Sequence, residues 1–180
     1  FLAEGSQLKR GQVVCRLSGS AIGILAAERT ALNFLGHLSG ISTMTNLYVK
    51  EIAHTKCKVL DTRKTTPGLR LWEKQAVRDG GGVNHRISLS DQYLIKDNHL
   101  TAVGSVTKAL QAVFQHRQKR RGGGHPTRVL VEIEIANLAQ LREALPFKPD
   151  IILLDNMTPA QIRDCVNMRR KFVGARCARP

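Results

Sequence analysis

Apolar and polar positions follow two different periods along most of this chain of 180 residues. Short apolar runs bounded by polar residues predict buried strands at 57–62, 92–97, 128–135 and 150–156. Segments with apolar residues at helical spacing predict helices at 69–77, 105–117, 138–145 and 159–170. Strands that alternate with helices are typical of right-handed βαβ units and a parallel sheet. The pattern therefore predicts the α/β class.

The starts of three of these helices carry local signals. Ser105, Asn137 and Thr158 are predicted N-caps, because their side-chain oxygens can accept hydrogen bonds from the free N–H groups of a first helical turn. Pro159 suits a first helical position, where its missing N–H removes no hydrogen bond.

The first part of the chain has a different pattern. Residues 5–20 are interrupted by Gly and Ser and alternate over short distances, which predicts strands and turns. A helical pattern follows from Ala21 to Leu38, and Gly40 is predicted to end it. A second helix is predicted from about Ser42 to His54.

The net charge of +14 indicates a negatively charged partner. Such a balance favours nucleic acid, an anionic surface, or a small phosphorylated or carboxylated substrate. With five Phe, two Tyr and one Trp, the chain offers few platforms on which bases could stack. The basic, glycine-rich segment 115–128 is interpreted as a surface loop, because it lacks the strand-to-helix context of a phosphate loop. A phosphate or nucleic-acid patch is the alternative interpretation.

Cysteine spacing and hydropathy bear on the compartment. The four cysteines form no C-x-x-C pair, which argues against a zinc site and fits a reducing cytosol. No apolar run approaches the roughly 20 residues of a membrane span, and the first residues do not resemble a signal peptide. We expect a cytoplasmic protein without a membrane partner.

Polar side chains stand at the carboxyl end of every predicted strand. They are Asp61, Arg63 and Lys64; Lys96, Asp97, Asn98 and His99; Glu132 and Glu134; and Asp155 and Asn156. The carboxyl ends of parallel strands meet at one edge of a sheet, where α/β proteins bind their ligands. Of the two glutamates, Glu134 is nearer this edge and is the catalytic candidate, whereas Glu132 is expected to be structural. The pattern predicts an anion-binding, acid-assisted active site.

The residue types specify the expected ligand further. Six side chains would form a cationic basin: Arg29, Arg63, Lys64, His85, Arg86 and Lys96. Arginine forks suit carboxylates and lysine supplies a compact charge for phosphate. Glu134 and Asp155 offer hard oxygen ligands for Mg²⁺, in part through water. The predicted ligand carries carboxylates and phosphates together with a divalent metal.

Six segments of the chain form a recognisable series. They are ERTALNFLGHLSGIST (28–43), DTRKTTPGLR (61–70), AVRDGGGVNHR (76–86), LIKDNH (94–99), VEIE (131–134) and DIILLDNM (150–157). In this order they resemble nicotinate-nucleotide pyrophosphorylases (carboxylating), also called quinolinate phosphoribosyltransferases. The resemblance implies a pentosyltransferase that moves phosphoribosyl from phosphoribosyl pyrophosphate (PRPP) to quinolinate. Loss of CO₂ then gives nicotinate mononucleotide and pyrophosphate, on the de novo route to NAD.

The resemblance also implies a fold and residue roles. The family pairs an N-terminal α/β domain with an incomplete, seven-stranded α/β barrel, and its active site forms at a dimer interface. Arg63, His85, Arg86 and Lys96 would hold the quinolinate carboxylates, and Arg29 would join them from the neighbouring subunit. Lys64 and Lys96 would contact PRPP, while Glu134 and Asp155 would bind the ribose hydroxyls and Mg²⁺-pyrophosphate. The predicted catalytic residues are Lys64, Lys96, Glu134 and Asp155.

The same resemblance sets the expected domains. Residues 1–40 would be the remnant of the N-terminal α/β domain with a linking helix, and 41–180 a partial α/β-barrel domain without its last units. The ending KFVGARCARP has no strand pattern, although a family member should continue there into another strand. We therefore expect a chain that is cut short at this end as well as at the first. Such a chain is expected to bind PRPP poorly and to turn over little alone. Two alternatives stay open: a basic nucleic-acid-binding protein, and a nicotinate phosphoribosyltransferase, whose monocarboxylate substrate needs fewer cations.

Overall fold

The computed structural model describes residues 1–121 and 129–177, and packing divides the chain into two compact units. Unit 1 is Phe1–Ser88 and unit 2 is Leu89–Pro180. The loop predicted at 115–128 is wrong for 115–121, which continue a helix. The remainder, 122–128, lies outside the described residues, as does the very end of the chain. In the described part, no helix combines the length and apolarity needed to cross a membrane.

The N-terminal segment of unit 1 is irregular. The strands predicted within 5–20 are absent from the structure, which has turns and irregular backbone there. The backbone N–H of Leu2 donates to the carbonyl of Val14 at 3.0 Å, so the segment folds back without forming a ladder. The prediction was wrong because the alternating apolar residues Leu8, Val13 and Leu17 are exposed instead of facing a core.

One long helix follows, α1 (Ala21–Glu51). The two helices predicted at 21–38 and 42–54 are thus a single element, and Gly40 does not end it. A glycine ends a helix when it takes the left-handed conformation, as Gly104 does at φ +85 after the third helix of the chain. Gly40 keeps a negative φ, and its propensity cost of about 1 kcal/mol is too small to break the hydrogen bonds around it.

The second helix, α2 (Arg70–Asp79), packs against α1, close to the predicted bounds. The glycines that follow it allow close packing. A Cβ on Gly80 would lie 2.4 Å from the carbonyl oxygen of Ser42, and one on Gly82 would lie 2.8 Å from Cγ2 of Thr45. The missing side chains of these glycines make room for α1.

The strand predicted at 57–62 is reduced to one isolated parallel bridge, between Leu60 and Val83. Leu60 is 55% exposed, so the predicted burial is wrong as well. A run of apolar residues forms a strand only if a partner pairs along its length, and here the partner segment touches it at a single point.

Unit 2 contains the predicted parallel sheet. Its strands are β1 (Gln92–Ile95), β2 (Leu130–Ile135) and β3 (Ile151–Leu154), in the order β1-β2-β3 with both pairs parallel. The helices are α3 (Asp97–Val103), α4 (Val106–Arg121), α5 (Leu138–Ala144) and α6 (Pro159–Cys177), with a 3-10 turn at Leu145–Phe147. The short α3 was not predicted, and α4 runs four residues past its predicted end at 117.

The core of unit 2 lies between the sheet and these helices. Leu110, Val131 and Ile133 are fully buried and belong to one apolar cluster. The three predicted N-caps are confirmed. Ser105 Oγ accepts from the N–H of Lys108 at 3.1 Å, Asn137 Oδ1 from that of Gln140 at 2.9 Å, and Thr158 Oγ1 from that of Gln161 at 3.4 Å.

Candidate active site

Two cationic segments leave the isolated bridge of unit 1 at the same end. The N–H of Asp61 donates to the carbonyl of Val83 at 3.3 Å, and the N–H of Val83 donates to that of Val59 at 2.9 Å. Because the bridge is parallel, both chains continue in the same direction beyond it. The residues that follow are Arg63 and Lys64 on one segment and His85 and Arg86 on the other. The structure thus brings these four predicted site residues to one end of unit 1.

A buried ion pair joins the two segments behind these cations. Lys74 Nζ of α2 contacts Asp61 Oδ1, and their side chains are only 3% and 7% exposed. Asp61 Oδ1 also accepts from the backbone N–H of His85 at 2.8 Å, while Lys74 Nζ donates to the His85 carbonyl at 3.1 Å. Asn84 Nδ2 donates to Asp61 Oδ2 at 2.5 Å. Such pairing is what a buried charge requires, since burial without partners costs several kcal/mol.

Glu73, next to Lys74 in α2, is also buried and holds the segment that follows Arg63 and Lys64. Its Oε2 accepts from the backbone N–H of Thr66 at 3.1 Å, and its Oε1 accepts from His37 Nε2 of α1 at 2.8 Å. Burial by itself raises the pKa of Glu73, but the hydrogen bonds from Thr66 and His37 and the charge of His37 outweigh it, so that the pKa is lowered overall.

Arg63 presents an unused donor at this end of unit 1. Its Nε is buried and has no hydrogen-bond partner among the described residues. Its carbonyl is already engaged, accepting from the N–H of Thr65 at 3.0 Å. A buried donor without a partner costs about 1–3 kcal/mol and calls for an acceptor. A carboxylate fits, because the planar guanidinium matches its two oxygens.

The other cations of unit 1 differ in their surroundings. Arg70 makes structural contacts: its guanidinium donates to Thr65 Oγ1 at 3.1 Å and to the Ile87 carbonyl at 3.3 Å. Lys64 is exposed, and its backbone N–H donates to Thr62 Oγ1 at 3.0 Å. Arg29 is exposed on α1.

Unit 2 brings together the other three predicted site residues. Glu134 near the end of β2 and Asp155 just past β3 line one cavity of about 360 Å³, together with Asp97 at the start of α3. Lys96 Nζ lies 3.8 Å from Glu134 Oε2, an ion-pair distance. Glu132 is buried and accepts from Gln92 Nε2 at 2.5 Å, which supports the structural role expected for it.

The carboxylates of this cavity fit a substrate-bridged Mg²⁺. Within residues 1–121 and 129–177, no group of three or more His, Cys, Asp or Glu side chains could hold a metal by itself. Mg²⁺ needs no such group, because it keeps several waters and is commonly held by one or two carboxylates plus substrate phosphates. Glu134 and Asp155 supply that number of carboxylates in the lining of one cavity.

Glu73 and Lys74, near the predicted cations, were not foreseen as parts of the site, and His99 was named at a strand end without a role. Glu73 and Lys74 hold the two loops of unit 1, and His99 Nδ1 accepts from the backbone N–H of Lys96 at 2.9 Å. Adjacent Glu and Lys in a helix are typical of an exposed face, so the pattern of α2 hid them. His99 stands three residues after Lys96 at a helix start, the position from which a side chain reaches back to the cap, and this spacing was the available signal.

Comparison with known proteins decides the family. The C-terminal domain of quinolinate phosphoribosyl transferase matches residues 41–176, and the N-terminal domain of the same family matches residues 1–39. The chain belongs to the quinolinate phosphoribosyltransferase family.

Individual members of this family are similar over most of the chain. A nicotinate-nucleotide pyrophosphorylase [carboxylating] of Mycobacterium leprae is 45% identical over 166 residues, which is 92% of this chain and 55% of the relative. A probable enzyme of that name from Bacillus subtilis is 44% identical over 160 residues, or 89% of this chain and 53% of the relative. The chain thus spans about half the length of these curated relatives.

Solved structures agree with the fold of this quinolinate phosphoribosyltransferase homologue. NadC from Streptococcus pyogenes is 47% identical with a TM-score of 0.81, over 93% of this chain and 56% of that one. The pyrophosphorylase from Francisella tularensis is 46% identical with a TM-score of 0.73, over 84% and 51%. The parallel sheet with its surrounding helices is therefore part of an α/β barrel of this family.

Proposed function

We propose that this chain carries a quinolinate phosphoribosyltransferase site. The reaction transfers phosphoribosyl from PRPP to the ring nitrogen of quinolinate and releases CO₂ and pyrophosphate, which yields nicotinate mononucleotide for NAD synthesis. Family membership supports this proposal, and so do the names of the relatives, which are carboxylating pyrophosphorylases in bacteria and decarboxylating quinolinate phosphoribosyltransferases in Nicotiana tabacum.

The observation that carries the proposal is the unpartnered, buried Nε of Arg63 at the end of unit 1 from which Lys64, His85 and Arg86 also emerge. Quinolinate carries two adjacent carboxylates, so its site needs more than one cationic partner. Arg63, His85 and Arg86 would hold these carboxylates, with Lys96 completing the set. A nicotinate phosphoribosyltransferase, with one carboxylate to bind, leaves this number of cations unexplained.

The carboxylates of unit 2 would act on the ribose. Positive charge builds on the ribose as its bond to pyrophosphate breaks, and Glu134 and Asp155, which line one cavity, would offset it. Lys96, near Glu134, and Lys64 would neutralise the phosphates, so that two anionic substrates can be held in the geometry of attack. The ring nitrogen is itself the nucleophile, and no side chain has to attack.

Glu134 and Asp155 would hold Mg²⁺ in this site. The ion supplies electrostatic stabilisation of the departing pyrophosphate. The side chains of the site would bind the substrates, orient them and compensate their charges.

The proposal extends to assembly and compartment. We expect a homodimer or higher homo-oligomer with a shared active site, in which the exposed Arg29 of α1 reaches the site of the neighbouring subunit. The bacterial relatives support a cytoplasmic location, although relatives from Nicotiana tabacum bear the word mitochondrial in their names.

Titration calorimetry with quinolinate tests the proposal directly. The chain should bind quinolinate saturably and nicotinate at least tenfold more weakly. Arg63→Ala should weaken quinolinate binding at least tenfold, whereas Arg78→Ala, which removes an exposed cation of α2, should change it less than twofold. Glu134→Gln should leave quinolinate affinity within twofold of wild type. A folded chain without saturable quinolinate binding contradicts the proposal, and equal affinity for nicotinate supports the monocarboxylate alternative.

A further inference from the structure

Both backbone hydrogen-bonding groups of His85 are held by the two members of one ion pair. Asp61 accepts from its N–H at 2.8 Å and Lys74 donates to its carbonyl at 3.1 Å. The residue before it is held as well, because Asn84 Nδ2 donates to Asp61 Oδ2 at 2.5 Å and to the Lys74 carbonyl at 2.8 Å. The segment that carries His85 and Arg86 is therefore tied to α2 and to the end of the segment that carries Arg63.

Stability alone is a poor explanation for this arrangement. A buried ion pair is often no more stabilising than apolar residues of the same volume, because both charges lose their hydration. Lys74 is nevertheless almost fully buried, and its ammonium is directed at loop backbone. What apolar residues could not supply is a directional hold on the His85 peptide groups, since that requires a donor and an acceptor at defined places.

Asp61 links the segment that carries Arg63 to the segment that carries His85. Asp61 precedes Arg63 by two residues and pairs through its backbone with Val83, two residues before His85. Its carboxylate therefore spans from the Arg63 segment to the His85 segment, and Lys74 fixes that carboxylate. The distance between the two cationic segments depends on this contact, and a dicarboxylate ligand requires that distance to be constant.

We propose that Lys74, acting through Asp61 and the backbone of His85, is a positioning residue that sets the spacing of the cations in the quinolinate site. This inference rests on the proposed function. In this role Lys74 acts without touching the ligand, because its ammonium contacts Asp61 and donates to the His85 carbonyl.

The test combines quinolinate titration with the backbone amide signals of the ¹⁵N-labelled chain. Lys74→Met keeps the length of the side chain but removes its charge. It should weaken quinolinate binding at least tenfold and shift the His85 amide signal upfield, as the hydrogen bond to Asp61 loosens. Lys74→Arg should restore binding to within about threefold, because a guanidinium can donate to both acceptors. Asp61→Asn/Lys74→Met leaves no unpaired buried charge, so it serves if the single variant fails to fold, and it should show the same loss.

Arg117→Met is the matched control in unit 2. Arg117 pairs with Asp150 at 2.8 Å with side chains 18% and 12% exposed, and Asp150 accepts from the backbone N–H of Val131 at 2.9 Å. This variant also breaks a part-buried ion pair that holds backbone, so it should lower the denaturation midpoint while leaving quinolinate affinity within twofold. A merely structural role for Lys74 predicts that Lys74→Met behaves in the same way.

Two results separate the outcomes. If folded Lys74→Met, or the double variant, binds quinolinate within twofold of wild type, the positioning role is overturned. If wild type itself does not bind quinolinate, the proposed function fails, and the amide signals then decide on the backbone contact alone: an unchanged His85 amide in Lys74→Met overturns the hold of Lys74 on His85, and a shifted one supports that hold.

Discussion

The two units are stabilised by different kinds of residue. In unit 2, Leu110, Val131 and Ile133 are fully buried and belong to one continuous apolar cluster between sheet and helices. Among the described residues of unit 1, Ala76 is the only buried apolar side chain, whereas the adjacent charged residues Glu73 and Lys74 of the same helix are also buried.

The contrast shows where each unit can tolerate change. The stabilisation from an apolar core has no preferred direction and grows with the apolar area that is buried. The stability of unit 2 therefore depends on how well its side chains fill the core. Unit 1 depends on a few directed contacts made by α2. Its long helix α1 leaves Ile22, Leu25 and Tyr48 more than half exposed, which is an apolar surface suited to the proposed homo-oligomer.

The largest effect is expected in the core of unit 2. Leu110→Ala removes a fully buried side chain and should lower the free energy of unfolding by about 2–5 kcal/mol. Leu25→Ala in α1, where the side chain is 68% exposed, should change it by less than about 0.5 kcal/mol. Urea denaturation of both variants measures the difference. Equal losses would show that unit 1 also relies on apolar burial, and a loss for Leu25→Ala that grows with protein concentration would place this face in an oligomer.

A smaller loss is expected where unit 1 packs its helices through glycine. Gly80→Ala puts a Cβ 2.4 Å from the Ser42 carbonyl oxygen and 2.7 Å from Cβ of Thr45, and should cost about 1–3 kcal/mol through overpacking. The matched substitution is Gly36→Ala in α1, where a Cβ meets nothing within 4 Å. It should stabilise by up to about 1 kcal/mol through helix propensity. Thermal denaturation compares the two, and destabilisation by both would contradict the account of the glycine contact.

Next in size is the pH-dependent part of unit 1. The folded chain lowers the pKa of Glu73 below its ordinary value of 4.5. The carboxylate's contribution is therefore fully present above that ordinary pKa and is lost as the pH falls through the lowered, folded pKa. Glu73→Gln should cost about 1–2 kcal/mol at pH 7 through its weakened hydrogen bonds, and this difference from wild type should shrink towards pH 3.

The single tryptophan reports on this region, because Trp72 lies next to Glu73 in α2. Its fluorescence during urea titration at a series of pH values measures the difference between the two proteins. A difference that stays constant from pH 7 to pH 3 would mean that the charge of Glu73 does not contribute.

The smallest effect concerns helix caps. Asn137→Ala removes a side chain that accepts from the N–H of Gln140 at 2.9 Å and should cost about 1 kcal/mol. Ser20, at the start of α1, makes no such bond, so Ser20→Ala should be close to neutral. Denaturation midpoints of the two variants test this difference between the units, and a comparable cost for Ser20→Ala would reveal a cap that the structure does not contain.

Local signals were read correctly where they depend only on neighbouring residues. Ser105, Asn137 and Thr158 cap their helices because a cap is decided within one turn of chain. The strands of unit 2 were predicted from short segments rich in apolar residues that are bounded by polar ones. The prediction that Gly40 ends a helix was wrong, because a glycine ends a helix only when it takes the left-handed conformation. Neighbours in sequence do not determine that conformation.

The segment 57–62 shows a second limit. Its apolar run has the composition of a buried strand, but only Leu60 finds a partner, at Val83. Pairing is a property of two segments, so one segment's pattern cannot establish it.

The sequence by itself determined the family, the α/β class, the helix caps and the identity of the candidate site residues, because these depend on residue types and on spacing along the chain. Only the tertiary structure decided that Glu73 and Lys74 are buried, that Arg63 keeps an unpartnered Nε, and that Glu134 and Asp155 share one cavity. The physical reason is that burial and hydrogen-bond satisfaction depend on contacts between segments distant in the chain. A charged pair in an amphipathic helix has the same pattern whether water or a loop backbone surrounds it.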